Sequence, residues 1–84
     1  MSELRVELVS PEKRVWSGGA VLVSARTLEG DIGILLDHSP LFGVLVDGVV
    51  TIKAVDGNET SFNVHGGFIS VANNRVSILG ESTD

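Results

Sequence analysis

A chain of 84 residues with 43% hydrophobic side chains and a formal charge of −5 is long enough for one modest core, and its apolar content argues against disorder. The absence of cysteine excludes disulfide frameworks, cysteine-rich zinc sites, iron–sulfur ligation and thiol catalysis, and suits a reducing compartment. After Arg26 the only basic residues are Lys53 and Arg75, against eight acids, which disfavours nucleic acid and anionic lipid as partners.

No run approaches the ~18 apolar residues of a membrane-spanning helix. Met1-Ser2-Glu3-Leu4-Arg5 leads directly into a strand-like pattern, without signal or transit character. Hydrophobic residues then recur at every second position, the strand period, and no window reads as a useful helix. Leu4, Val6 and Leu8 alternate with Arg5, Glu7 and Val9 up to Ser10-Pro11. Lys13 to Trp16 is a short second run that Ser17-Gly18-Gly19 is expected to end. From Ala20 to Arg26, Val21, Val23 and Ala25 mark the inward face, and Leu22 breaks the alternation.

The next stretch, Glu29 to Leu41, has the most definite shape. Gly30 and Gly33 frame Asp31 and Ile32, an apolar triplet follows, and Asp37-His38-Ser39-Pro40 turns the chain. Glycine permits backbone angles other residues resist, and proline fixes φ. The spacing predicts a strand around Asp31 to Leu35 with a presented loop on each side, a candidate contact surface. Consecutive hairpins complete the chain. Leu41 to Val46 is followed by Asp47-Gly48, a dipeptide that favours tight two-residue turns. Val49 to Val55 places Val50, Ile52 and Ala54 inward, and Asp56-Gly57-Asn58 turns. Phe62 and Val64 face inward from the next run. Gly66-Gly67 bends into Phe68 to Ala72, and Asn73-Asn74 leads to Arg75 to Leu79, with Val76 and Ile78 on one side. About ten short strands with turns every ~8–12 residues indicate an all-β sandwich or barrel. Residues 1–80 are expected to form one β domain, and 81–84 a polar, frayed tail.

Reactive arrangements are scarce. His38 adjoins Ser39, but neighbours in a turn rarely point at each other, and no strand–elbow–helix context surrounds them. His38, Asp37, Asp31 and His65 have the chemistry of a transition-metal set, yet no spacing enforces one. Gly30-Asp31-Ile32-Gly33 lacks the later residues and helix of a phosphate loop, and Asp31 would repel phosphate. Trp16, Phe42, Phe62 and Phe68 are spread one per segment, unlike the interleaved basic and aromatic residues of an oligonucleotide-binding barrel. Lys53 lies mid-strand, unlike the modified lysine of a biotin or lipoyl carrier. No catalytic, metal or cofactor residue is therefore assigned. What survives is an interaction module. The apolar set Leu35, Leu36, Leu41, Phe42 and Val44 exceeds what one face of two short strands needs.

The ordered motifs Ser10-Pro11-Glu12, Trp16-Ser17-Gly18, Glu29-Gly30-Asp31-Ile32-Gly33-Ile34-Leu35, His38-Ser39-Pro40-Leu41, Val64 to Val71 and Val76 to Glu81 resemble the epsilon subunit of F-type ATP synthases over essentially the whole chain. The resemblance implies a ten-stranded β-sandwich in the central stalk of the rotor. It implies a non-catalytic role coupling the gamma subunit to the ring of proton-carrying c subunits, peripheral to the cytoplasmic face of the bacterial plasma membrane. By family position, Glu29, Gly30, Asp31, Ile32 and Gly33 would meet the ring, and His38, Ser39, Pro40, Leu41 and Phe42 would lie on or near gamma. Where many members have Gly or Arg before the histidine, Asp37 adds negative charge on the gamma side. Most members continue into two C-terminal helices that restrain ATP hydrolysis and in some bacteria bind ATP. This sequence stops at Asp84, so neither a nucleotide site nor helix-mediated inhibition is expected of it. No cofactor, nucleic acid or membrane insertion is implied, and an isolated domain with an uncovered face is open to self-association. The rival readings are a small barrel-type metal-dependent enzyme using His38 and His65, and a free-standing ligand-binding sandwich.

Overall fold

Alternation of inward and outward side chains, interrupted in places, makes most of the runs strands, as two-residue periodicity requires. A computed structural model describes residues 3–83 and contains, in chain order, β1 (Leu4–Val9), β2 (Arg14–Thr27), β3 (Gly30–Ile34), β4 (Leu41–Leu45), β5 (Gly48–Ala54), β6 (Glu59–Val64), β7 (Gly67–Ala72) and β8 (Arg75–Gly80). There is no helix among the described residues. The sheet runs β1-β8-β7-β4-β2-β5-β6, with β3 beside β2 and a further β1–β2 pairing that folds it over itself. The β1–β8 pair is parallel; the other pairings are antiparallel. One layer is β4, β7, β8 and β1, and the other is β3, the second half of β2, β5 and β6.

The core between them draws on every strand. Leu4, Leu8, Val23, Ile34, Ile52 and Ile69 are wholly sealed from water, joined by Leu45 and Val64 from β4 and β6. Each such aliphatic side chain contributes ~1.5–3 kcal/mol of burial, so a sandwich this small needs all its strands.

Two details of β2 depart from expectation, the first in the number of strands and the second in which side chains face inward. Ser17, Gly18 and Gly19 do not end a run, because they pair in register with Glu7, Val6 and Arg5. The two expected segments are thus one strand of 14 residues, and the count among the described residues is eight. Its register against β5 shifts between Ala20 and Leu22. That bulge, an extra residue in one strand, turns Val21 outward while Ala20 and Val23 stay buried. Leu22 becomes half-buried, its side chain lying toward Gly33.

At the end of the chain Glu81 N donates to Gly66 O, His65 N donates to Ser82 O, and Thr83 bridges to Val64. Glu81 to Thr83 thus lie along the β6–β7 connection rather than leaving the sheet; Asp84 falls outside the described residues.

Candidate functional site

Two loops flank β3, and each is tied down by one side chain. At the first, Thr27 is buried where β2 meets Leu45 of β4. Its hydroxyl donates to Gly30 O at 2.9 Å and accepts from Glu29 N at 3.2 Å. The chain between is pressed outward, leaving Leu28, Glu29 and Gly30 exposed. Gly30 takes φ 120 with no atom near the place a side chain would occupy, which only glycine adopts without strain. Asp31 projects to solvent beside its register partner Arg26, whose Nε donates to its carboxylate at 2.9 Å. Both side chains are largely in water, so the pair adds little stability; its effect is to aim the carboxylate. The hydrogen bond that Arg26 donates to Asp31, then the charge of Asp31, raises the Arg26 guanidinium above its ordinary value. A raised cation loses its contribution only as pH climbs past its folded value, far above the physiological range. Ile32 turns toward the core and Gly33 lies outward, so the exposed tip is Leu28 to Asp31.

The second loop turns at Asp37, which has φ 64, a left-handed angle that Asp tolerates better than most residues. Asp37 N donates to Asn74 Oδ1 at 2.6 Å, and Asn74 Nδ2 returns a bond to Asp37 Oδ1 at 3.1 Å. Arg5 N donates to Asn74 O, so one residue of the β7–β8 turn holds both this loop and the start of β1. The Asp37 carboxylate thus accepts from a neutral amide and keeps its charge. His38 Nδ1 lies 2.7 Å from the backbone oxygen of Ser39. Nδ1 therefore carries the proton, and the ring is directed at the carbonyl, not at the Ser39 hydroxyl. Ser39 and Pro40 are exposed, Leu41 packs against the core, and Phe42 projects outward. Asn74→Gly keeps the permitted φ but removes both side-chain bonds. It is expected to cost about 1 kcal/mol and to speed hydrogen exchange at the Asp37 amide, read by NMR.

An exposed apolar row joins these loops. Along the outer face of the β4–β7–β8–β1 layer, Val44 is opposite Phe68, Phe68 opposite Leu79, and Leu79 opposite Val9. Phe42 stacks on Phe68 with ring centres 5.5 Å apart and planes inclined by 24°. Leu28, whose N–H reaches Val44 O, extends the row to the first loop. Leu28 and Phe42 are 70% and 67% exposed. Of the apolar set singled out from the sequence, Leu36 and Leu41 pack against the core, while Leu35, Phe42 and Val44 point outward. Phe68 and Leu79 were missed. Their signal was alternation: each neighbours an isoleucine of the core, Ile69 or Ile78.

The candidate metal set does not assemble. Asp31 faces Arg26, Asp37 faces Asn74, His38 faces Ser39 O, and His65 Nδ1 lies 3.7 Å from Asp47. Among the described residues no three potential ligands could share an ion. No helix there is long and apolar enough to cross a membrane.

An all-β sandwich with an uncovered apolar row and two braced loops defines a class, an interaction domain. The beta-sandwich domain of the ATP synthase delta/epsilon chain matches residues 3–83, and the chain belongs to that family. The ATP synthase epsilon chain of Streptomyces avermitilis is 55% identical over 80 residues, covering 95% of this chain and 64% of that one. The Micrococcus luteus epsilon chain is 50% identical over 82 residues, covering 98% of this chain and 90% of that one. In the cryo-EM structure of the Euglena gracilis mitochondrial ATP synthase, one chain superposes with a TM-score of 0.93 at 20% identity, covering all of this chain and 54% of that one. At that identity the likeness concerns the fold.

Proposed function

We propose that this chain is a non-catalytic rotor component of a proton-translocating F-type ATP synthase, coupling the gamma subunit to the c-subunit ring. It works as a peripheral part of the complex at the cytoplasmic face of the bacterial plasma membrane. The observation that carries this reading is the apolar row from Leu28 through Val44, Phe42 and Phe68 to Leu79 and Val9. An exposed apolar strip of this extent is what a lasting subunit contact covers. Gamma lies across it, reached also by His38, Ser39, Pro40 and Leu41, while the tip bearing Glu29, Gly30 and Asp31 meets the ring, with Ile32 and Gly33 as its support. Torque transfer asks for stiffness, and a sandwich with few unpaired edges supplies it.

Recovery from native membranes tests the assignment: synthase subunits are expected to accompany the tagged chain. The chain alone is expected to associate through the bare row at high concentration, seen by sedimentation. Asp31→Lys is expected to leave the fold intact, since the pair with Arg26 is in solvent, and to lower ring retention in the detergent-solubilised complex by about tenfold, the worth of one charge-assisted pair. Arg26→Gln controls for loss of the internal pair. Equal retention in wild type and Asp31→Lys would remove Asp31 from the contact.

A further inference from the structure

The chain carries only six basic side chains against eleven acidic ones, yet Arg5, Arg14 and Arg75 line one groove of about 300 Å³ on β1, β8 and the start of β2. Arg5 and Arg75 are direct register partners in the parallel β1–β8 pair. Like charges set opposite on adjacent strands repel, and the existing acids do not neutralise the arrangement. Glu7 is committed to Arg14 at 3.0 Å, and Glu3 reaches Arg5 only at 3.6 Å. Arg75 makes no ion pair among the described residues. Glu7 is the groove's one acidic lining residue, and the hydroxyl residues Ser17 and Ser77 are its register neighbours on either side. The result is a local excess of positive charge, with added hydrogen-bond donors, on an acidic protein.

The groove is continuous with the apolar row. A shallow hollow of about 170 Å³ between Val9, Phe68 and Leu79 shares Glu7 and Ser77 with it. Along β8, Leu79 and Arg75 are four positions apart, about 13 Å at strand spacing, so one polypeptide can cover both. We infer that the polypeptide covering the apolar row carries carboxylate side chains that dock among Arg5, Arg75 and Arg14. This charge lock rests on the function proposed above and adds to it the chemistry of the partner's facing surface. Guanidinium forks donate paired hydrogen bonds to carboxylates, and charge complementarity sets orientation and association rate more than raw affinity. A protein carboxylate fits better than a phosphate group. The groove is open and adjoins an apolar contact, and the Glu7 carboxylate in its wall repels a dianion more than a monoanion.

The test is the binding of the chain to the gamma subunit at low and at physiological salt, with Arg5→Gln/Arg75→Gln and, separately, Phe42→Ser. The double variant is expected to associate about tenfold more slowly at low salt and to lose most of the salt dependence. Its melting temperature should stay level or rise as the Arg5–Arg75 repulsion disappears. Phe42→Ser acts instead through faster dissociation. If only Phe42→Ser weakens binding and the double variant matches wild type at both salts, the charge lock is wrong and the proposed function stands. If gamma does not bind, or neither substitution matters, both fail. The free chain is also titrated with tripolyphosphate, reading the arginine Nε–H resonances. Tight binding there, with gamma binding untouched by the double variant, would give the groove to phosphate and overturn the inference.

Discussion

Gly67→Ala is expected to leave the chain without a cooperative unfolding transition at room temperature. Gly67 is buried at φ 127, and a Cβ there would overlap the Leu79 carbonyl oxygen and lie 3.1 Å from Gly80 Cα. The obstacle is backbone, locked by pairing of Gly67 with Gly80 on one side and Leu45 on the other, so no rotamer change relieves it. The forbidden angle costs ~1–3 kcal/mol, and displacing β8 disrupts burial of Ile78 and Val76 as well. Together these approach the ~4–12 kcal/mol that holds a domain this size. Gly57→Ala is the control. Gly57 also has a positive φ, of 94, but nothing lies within 4 Å of the added methyl. It is expected to cost only about 1–2 kcal/mol, lowering the melting temperature by about 10 °C. Circular dichroism melts of the two variants separate a steric lock from ordinary turn strain. Equal, mild losses would show that the β7–β8 ladder yields more easily than its register suggests.

The second large effect is on association. Phe42→Ser combined with Phe68→Ser is expected to reduce affinity for gamma by at least about 100-fold, since truncating aromatic anchors at the centre of an interface commonly costs ~2 kcal/mol or more each. The two rings stack on one another, so the losses should not add, and the single variants will each show most of the effect. Both rings project outward, from strands whose intervening residues are buried in β7 and half-buried in β4, so the melting temperature should change little. Calorimetric titration with gamma reads the affinity, and sedimentation of the free chain reads the accompanying loss of self-association. A double variant that binds like wild type would leave the row as an ordinary sandwich exterior.

Much of this surface was legible from residue order, because a period of two assigns each strand's faces without knowledge of its neighbours. Ile52, Val64 and Ile78 follow from that rule alone, and the exposed Gly30-Asp31 tip follows from glycine chemistry. What escaped depends on which strands become neighbours. Ser17-Gly18-Gly19 looks like a break until β1 holds it extended, and Val21 looks buried until the bulge against β5 turns it out. Asp31 looks free until Arg26 is placed opposite it. Asp37 and Asn74 stand 37 residues apart in sequence, and Arg5 meets Arg75 only because the first and last strands pair in parallel. The apolar row has the same origin: its members lie on four strands and the β2–β3 loop, and no local window contains more than two of them.

Hydroxyl-radical footprinting of the chain alone and bound to gamma tests most directly whether the outer face of β4, β7 and β8 is the gripped side. Phe42, Phe68 and Leu79 are expected to lose most of their reactivity in the complex. Val49, which is 50% exposed on the opposite layer, should keep its own. Protection of Val49 with undiminished reactivity at the two phenylalanines would place gamma on the wrong side of the sandwich and contradict the mode of coupling proposed here.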